Sequence, residues 1–157
     1  MDARDFRETN KEIRHTSSLR AALSACPGGA GWVETAAGVC HLSLTQTFPP
    51  MTADDALVLC GDFEPAATLP EIYSYRDELT LEELSGGADS VWLGLWRFSN
   101  NTDFLWPSGD PVTYTNWAAG EPAFGDDECV LMEGADGGWK VASCADSSAS
   151  VICYLRV

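Results

Sequence analysis

Residues 117–154 read WAAGEPAFGDDECVLMEGADGGWKVASCADSSASVICY, from Trp117 to Tyr154, and their reading decides the fold. Three of the six cysteines lie here, Cys129, Cys144 and Cys153, and a Gly-rich acidic loop ending in Trp139 separates the first two. The stretch reads as a cross-linked platform. Upstream, VWLGLW at Val91–Trp96 and FLWPSGDPVTYTNW at Phe104–Trp117 supply aromatic strands bounded by Pro and Gly.

Taken together, these stretches resemble the C-type lectin-like domain over roughly residues 26–157, with cysteine spacing, tryptophan spacing and the Glu121-Pro122 element in the same order. The resemblance implies an α+β fold of two helices, two small antiparallel sheets and a long loop region. It also implies the long form, with an N-terminal hairpin closed by its own disulfide. On that basis Cys26 pairs with Cys40, Cys60 with Cys153 and Cys129 with Cys144. Val91–Trp96 matches the family's central Trp-Ile-Gly-Leu strand, in which Trp92 and Leu93 are core. Residues Arg97–Thr115 would be the long loop region.

A chain of 157 residues fits one domain that buries about 68–70% of its unfolded surface, and 45% apolar residues exclude a disordered composition. No apolar run approaches the roughly 18 residues of a membrane span. An even set of six cysteines without a CxxC pair, beside two histidines, suits disulfides better than a zinc cage. The expected location is therefore secreted or extracellular. The polar opening segment lacks a secretory leader's apolar stretch, so a mature ectodomain is expected.

Net charge is −15, and Arg4, Arg7, Lys11, Arg14 and Arg20 are five of the nine basic residues. Residues 26–157 keep Arg76, Arg97, Lys140 and Arg156 against twenty acids, so phosphate backbones are repelled and no nucleic-acid role is expected.

In chain order, residues 1–25 hold no Gly or Pro and read as a basic helix or neck. Phe6, Ile13 and Leu23 make a poor oligomer seam. A lone helix is favoured over an oligomerising neck, and an oligomer through this helix stays open. GWVETAAGVC reads as a short hairpin closing on Cys40, and His41–Phe48 as a strand stopped by Pro49-Pro50. Thr52 is the expected cap of a first helix, with Asp54 and Asp55 in its first turn and Ala56, Leu57, Leu59 and Cys60 inward. A second helix is expected over Leu69–Leu84, with Ile72, Tyr75, Leu79 and Leu84 as its inner stripe. Val112–Trp117 is expected to return as a strand. Asn100-Asn101-Thr102 is a glycosylation sequon, with Asn100 the acceptor.

Sugar-binding members of the family hold calcium with Glu-Pro-Asn or Gln-Pro-Asp and Trp-Asn-Asp triplets, because calcium takes six to eight oxygens at ~2.4 Å. Here the corresponding triplets are Glu121-Pro122-Ala123 and Trp139-Lys140-Val141, and the family's auxiliary acids fall on Arg97 and Asn101. No metal or other cofactor is expected. Lys140 is expected to pair with Glu121 in place of the ion. Asp126, Asp127 and Glu128 could hold a cation, but successive like charges usually mark a solvated loop. His15 and His41 read as satisfied surface histidines, and no nucleophile–base pair nominates an enzyme.

The expectation is a non-catalytic binding module for an extracellular protein or glycan, acting through the long-loop face without the family's calcium site. Glu121, Asp127, Glu128, Lys140, Trp106 and Phe124 are its candidate ligand-binding residues. Trp96, Phe98, Phe104 and Trp117 join them as aromatic anchors, at least half of the aromatic set being core. The rival readings are calcium-dependent sugar binding through Glu121, Asp127 and Glu128, and a structural or assembly subunit of an extracellular complex or matrix.

Overall fold

The computed structural model describes residues 25–98, 103–134 and 137–157. Its elements in chain order are β1 (Val33–Ala36), β2 (Val39–Ser43), α1 (Ala53–Phe63), α2 (Tyr75–Ser85), β3 (Ser90–Arg97), β4 (Phe104–Leu105), β5 (Cys129–Glu133), β6 (Trp139–Ala142) and β7 (Ile152–Arg156). They form two antiparallel sheets, β1-β2-β7 and β4-β3-β5-β6. The architecture is α+β, as the resemblance implies. The expected helix or neck at residues 1–25, apart from Ala25, and the sequon at Asn100 lie outside the described residues.

β3 has both faces covered, which is why its sequence is a continuous apolar run rather than an alternating one. Trp92 joins Leu42, Ala56, Cys60 and Leu131 in one core, while Val91, Leu93 and Leu95 join Ile72, Val130, Met132 and Trp139 in the other. The indole of Trp92 donates to the carbonyl of Met51 at 2.8 Å, so its one polar atom is satisfied in the interior. Disulfides Cys26–Cys40, Cys60–Cys153 and Cys129–Cys144 join the pairs that the resemblance implies. The second ties α1 to β7, and the third ties β5 to the turn after β6.

α1 starts as its residues require: the Thr52 hydroxyl accepts from the Asp55 N–H at 3.2 Å, and Asp54 and Asp55 sit in the first turn. Ala53, Ala56 and Cys60 are its buried residues, whereas Leu57, expected inward, is 49% exposed. α2 begins six residues later than expected. Ser74 caps it by accepting from the Asp77 N–H at 3.3 Å, and Gly86 ends it in the left-handed region at φ 59°. Leu69, Pro70, Glu71 and Ile72 are buried ahead of the helix, and the Pro70 carbonyl accepts from the Gly94 N–H at 2.7 Å, so the backbone there is committed to β3. The stripe of Tyr75 and Leu79 is therefore corrected: both are exposed, and α2 buries Glu78, Leu81 and Ser85.

Three smaller expectations are also corrected. The strand beginning at His41 extends only to Ser43 as part of β2, because residues 45–47 turn. Val112–Asn116 is not a strand, and only Trp117 bridges Trp139. His41 is buried between β1 and β7, with Nδ1 2.8 Å from the Thr35 hydroxyl and its ring edge-on to Tyr154.

The long loop is clamped to the C-terminal strand by charge. Arg156 reaches Glu71 at 3.2 Å and Asp110 at 3.0 Å, and its guanidinium lies 4.9 Å from the centre of the Tyr73 ring. Glu71 is nearly fully buried, so it needs these partners and the Ser108 N–H at 2.8 Å. The hydrogen bond from Arg156 holds the Asp110 carboxyl below its ordinary range.

Candidate functional site

The chain leaves the core at Trp117, whose neighbour Ala118 donates to the Trp139 carbonyl at 2.9 Å, and returns at Cys129 in β5. Between them lies a loop with a cis Glu121–Pro122 bond. The Glu121 carboxylate is half-buried and engaged by backbone. One of its oxygens accepts from the N–H of Ala123 at 2.9 Å and of Val141 at 3.2 Å, fastening the loop to β6. From the other side Arg97, 5% exposed at the end of β3, donates to the carbonyls of Ala123 at 2.6 Å and Gly125 at 3.3 Å. Those two carbonyls flank Phe124. The loop tip is thus held by a buried guanidinium, and Phe124 at that tip is 93% exposed. Carbonyl dipoles and the Phe104 ring, 5.3 Å away, surround the buried charge.

Beside the loop, Glu121, Asp127, Glu133 and Lys140 line a polar trough of about 580 Å³. Lys140 does not pair with Glu121 as expected. Its ammonium lies 2.8 Å from Glu133, because Lys140 stands opposite Leu131 in the β5–β6 register and Glu133 is the diagonal neighbour on the same face. Asp89, Ser90 and Ser148 are shared with an adjoining recess lined by Thr45, Gln46 and Ser150, so the trough continues past α2. Glu128 is not in the trough, although Asp127 is. It lines a separate cleft with Trp96.

The remaining candidates divide by burial. Trp106 is 1% exposed, its ring 6.0 Å from both Tyr73 and Trp139, so its role as a ligand contact is corrected to core. Phe104 and Trp117 are half-buried against each other at 5.0 Å. Trp96 is 41% exposed and packs 5.8 Å from Phe98.

Two determinants of the site have no local signal in the sequence. In the sequence Arg97 stands out only as the replacement of a family acid, and Glu78 is not singled out at all. The Glu78 carboxylate, 1% exposed, accepts from the Trp139 indole and the Tyr114 hydroxyl, each at 2.6 Å, and from the Asn116 amide at 3.2 Å. It thereby ties the Tyr114–Asn116 segment to Trp139, the chain neighbour of Lys140 in β6. Burial, and then the Glu78 carboxylate, push the Tyr114 hydroxyl up to about 12. Partners 36 to 61 residues away are invisible to any window scan.

Among the described residues no group of three or more His, Cys, Asp or Glu side chains is disposed to hold a metal ion. Ala123 and Val141 bring no side-chain oxygen, and Glu121 is engaged by amides.

A family model described as the Lectin C-type domain matches residues 49–155. Lymphocyte antigen 75 of Mus musculus is 28% identical over 148 residues, covering 93% of this chain and 8% of that protein. The low affinity immunoglobulin epsilon Fc receptor of Mus musculus is 33% identical over 96 residues, covering 60% of this chain and 28% of that protein. The chain thus spans less than a third of the length of these relatives. A calcium-independent type II antifreeze protein superposes with a TM-score of 0.69 at 28% identity, covering 84% of this chain and 95% of that one.

Proposed function

Because the chain belongs to the Lectin C-type domain family, we propose that it is a non-catalytic, extracellular binding module that engages a protein or glycan partner through the loop of residues 117–128 and the adjoining trough, without calcium. One observation carries this reading: the loop is already held by protein groups. Glu121 is engaged by two backbone amides, and Arg97 grips the carbonyls on either side of Phe124, so the loop is fixed by groups of the chain itself. A loop organised in advance loses less freedom on binding, and an aromatic side chain presented in this way is an effective anchor. The similarity to an antifreeze protein described as calcium-independent supports the metal-free reading, and the similarity to an Fc receptor supports a protein partner. Among the described residues no helix is long and apolar enough to cross a membrane.

Calcium-dependent sugar binding through Glu121, Asp127 and Glu128 is disfavoured because the three do not share one cleft. The trough keeps a glycan among the partners, since hydroxyls of Ser90, Ser147 and Ser148 line it.

Melting tests the metal question. A ligand that binds only the folded state at a thousandfold excess over Kd adds about 4 kcal/mol. The melting temperature is expected to be the same in millimolar calcium and in chelator. A clear rise with calcium would move the sugar-binding reading ahead.

A further inference from the structure

Glu128 leads to a second cleft, of about 350 Å³, within the size range of ligand pockets. Its walls are apolar: Leu57, Leu69, Leu95, Trp96, Pro107 and the Cys129–Cys144 bond. Leu57 and Trp96 stay 49% and 41% exposed at this cleft, although Leu69 and Leu95 within it are buried. Two carboxylates, Asp54 and Glu128, also line it. Neither forms an ion pair among the described residues. The one hydroxyl in the lining, that of Thr68, donates to the Leu69 carbonyl at 3.2 Å.

This combination of an apolar slot, an exposed indole and two carboxylates fits one kind of occupant. A sugar could donate hydroxyls to the carboxylates and stack on the indole, but being neutral it would leave both negative charges uncompensated. An uncharged apolar ligand would leave both carboxylates beside it without compensation. The first turn of α1 would by itself favour an anion, but Asp54 and Asp55 already supply that charge. A second copy of this chain, at −15, would be repelled by the acidic surface. An arginine side chain satisfies every feature: its aliphatic stem covers leucine and proline, its guanidinium stacks on an indole, and its fork reaches carboxylates.

We propose that the cleft between α1, β3 and the Cys129–Cys144 bond is a second binding site, separate from the trough, that receives an arginine side chain from a basic protein partner. Its occupant is then recognised by Asp54 and Glu128 through charge and by Trp96 through stacking. This goes beyond the loop-and-trough reading and does not depend on it.

Hexaarginine is the probe, added to the whole chain at about 0.15 M salt, where the Debye length is about 8 Å and distant surface charge is screened. Binding is read by calorimetry and by the methyl signals of Leu57, Leu69 and Leu95. Saturable binding with shifts confined to those methyls is expected. Asp54→Asn combined with Glu128→Gln should weaken it at least about tenfold, while Asp62→Asn combined with Asp103→Asn, which removes the same charge at exposed positions outside the clefts, should change it less than about twofold. Leu57→Trp, a replacement at an exposed position that fills the cleft mouth, should abolish binding with melting unchanged. Equal losses in the two charge-matched pairs, or shifts spread over the surface, would show non-specific attraction and overturn the site. Residues 1–24 carry their own arginines. If Arg4, Arg7, Arg14 and Arg20 changed together to Gln shift the cleft methyls without any peptide, the occupant is this chain itself and the proposal fails. A chain that fails here yet keeps its loop-dependent partner leaves the loop-and-trough reading intact, and loss of partner binding by Phe124→Ala alone bears only on that reading.

Discussion

Burying Arg97 takes a guanidinium out of water, and what offsets the cost is a set of carbonyl dipoles and an aromatic face rather than a carboxylate. The choice has a functional consequence, since neutral partners leave the surrounding loop its acidic character while fixing its backbone. His41 shows the opposite device, a titratable group buried without charge. Burial lowers its pKa from 6.5 to about 4, against an opposing effect of the Asp77 carboxylate. The folded value lies below the unfolded one, so the unfolded chain takes up the proton first. Its contribution is complete above pH 6.5 and is lost as the pH falls through about 4. The shift corresponds to about 3 kcal/mol at full protonation. His41→Phe keeps a ring against Tyr154 but cannot titrate. Its melting temperature should therefore fall less steeply from pH 6.5 to 4 than that of the parent chain. Parallel profiles would mean that acid sensitivity arises elsewhere.

At the scale of elements, α2 and β3 are placed by the segment between α1 and α2, which periodicity alone reads as helix. Leu69 and Ile72 are apolar at helical spacing, but Pro70 uses its carbonyl on the Gly94 N–H and Glu71 turns inward to Arg156 and Ser108. Gly94 makes the approach of this segment to β3 achievable. A Cβ there would stand 2.6 Å from the Leu69 carbonyl oxygen and 2.9 Å from the Pro107 ring. Backbone cannot yield as a flexible side chain would, so Gly94→Ala is expected to cost about 1–3 kcal/mol, the usual range for overpacking. Chemical denaturation would measure this as a lower midpoint with an unchanged slope. A neutral result would show that Leu69 and Pro107 shift freely. The same variant probes the apolar cleft, because both contacts line it.

For the whole molecule, the covalent frame is ordered by sequence separation. Cys60–Cys153 spans 93 residues, whereas Cys26–Cys40 and Cys129–Cys144 span 14 and 15. Closing a loop of about 100 residues removes unfolded-state entropy worth about 4.7 kcal/mol, against about 3 kcal/mol for one of fifteen. Replacing Cys60 and Cys153 together by Ala should therefore lower stability more than replacing either other pair, as read from denaturation midpoints. The reverse order would place the stabilisation in native packing around the shorter bridges. The cysteine order, the VWLGLW run and the Glu121-Pro122 element were enough for the fold through the family they resemble, and the Thr52 cap was readable as a local pattern. They also placed the candidate loop. Which groups hold that loop was decided only in three dimensions. Lys140 pairs with Glu133 rather than Glu121 because strand register sets its neighbours, and Trp106 is core because two rings close over it. Arg97 and Glu78 find partners 26 to 61 residues away, and Asp127 and Glu128, adjacent in the chain, line different clefts. The sequence by itself determined the frame, since the order and spacing of its cysteines and tryptophans are those of the family. The tertiary structure alone decided the chemistry of the site, since a buried charge is defined by whatever the fold brings against it.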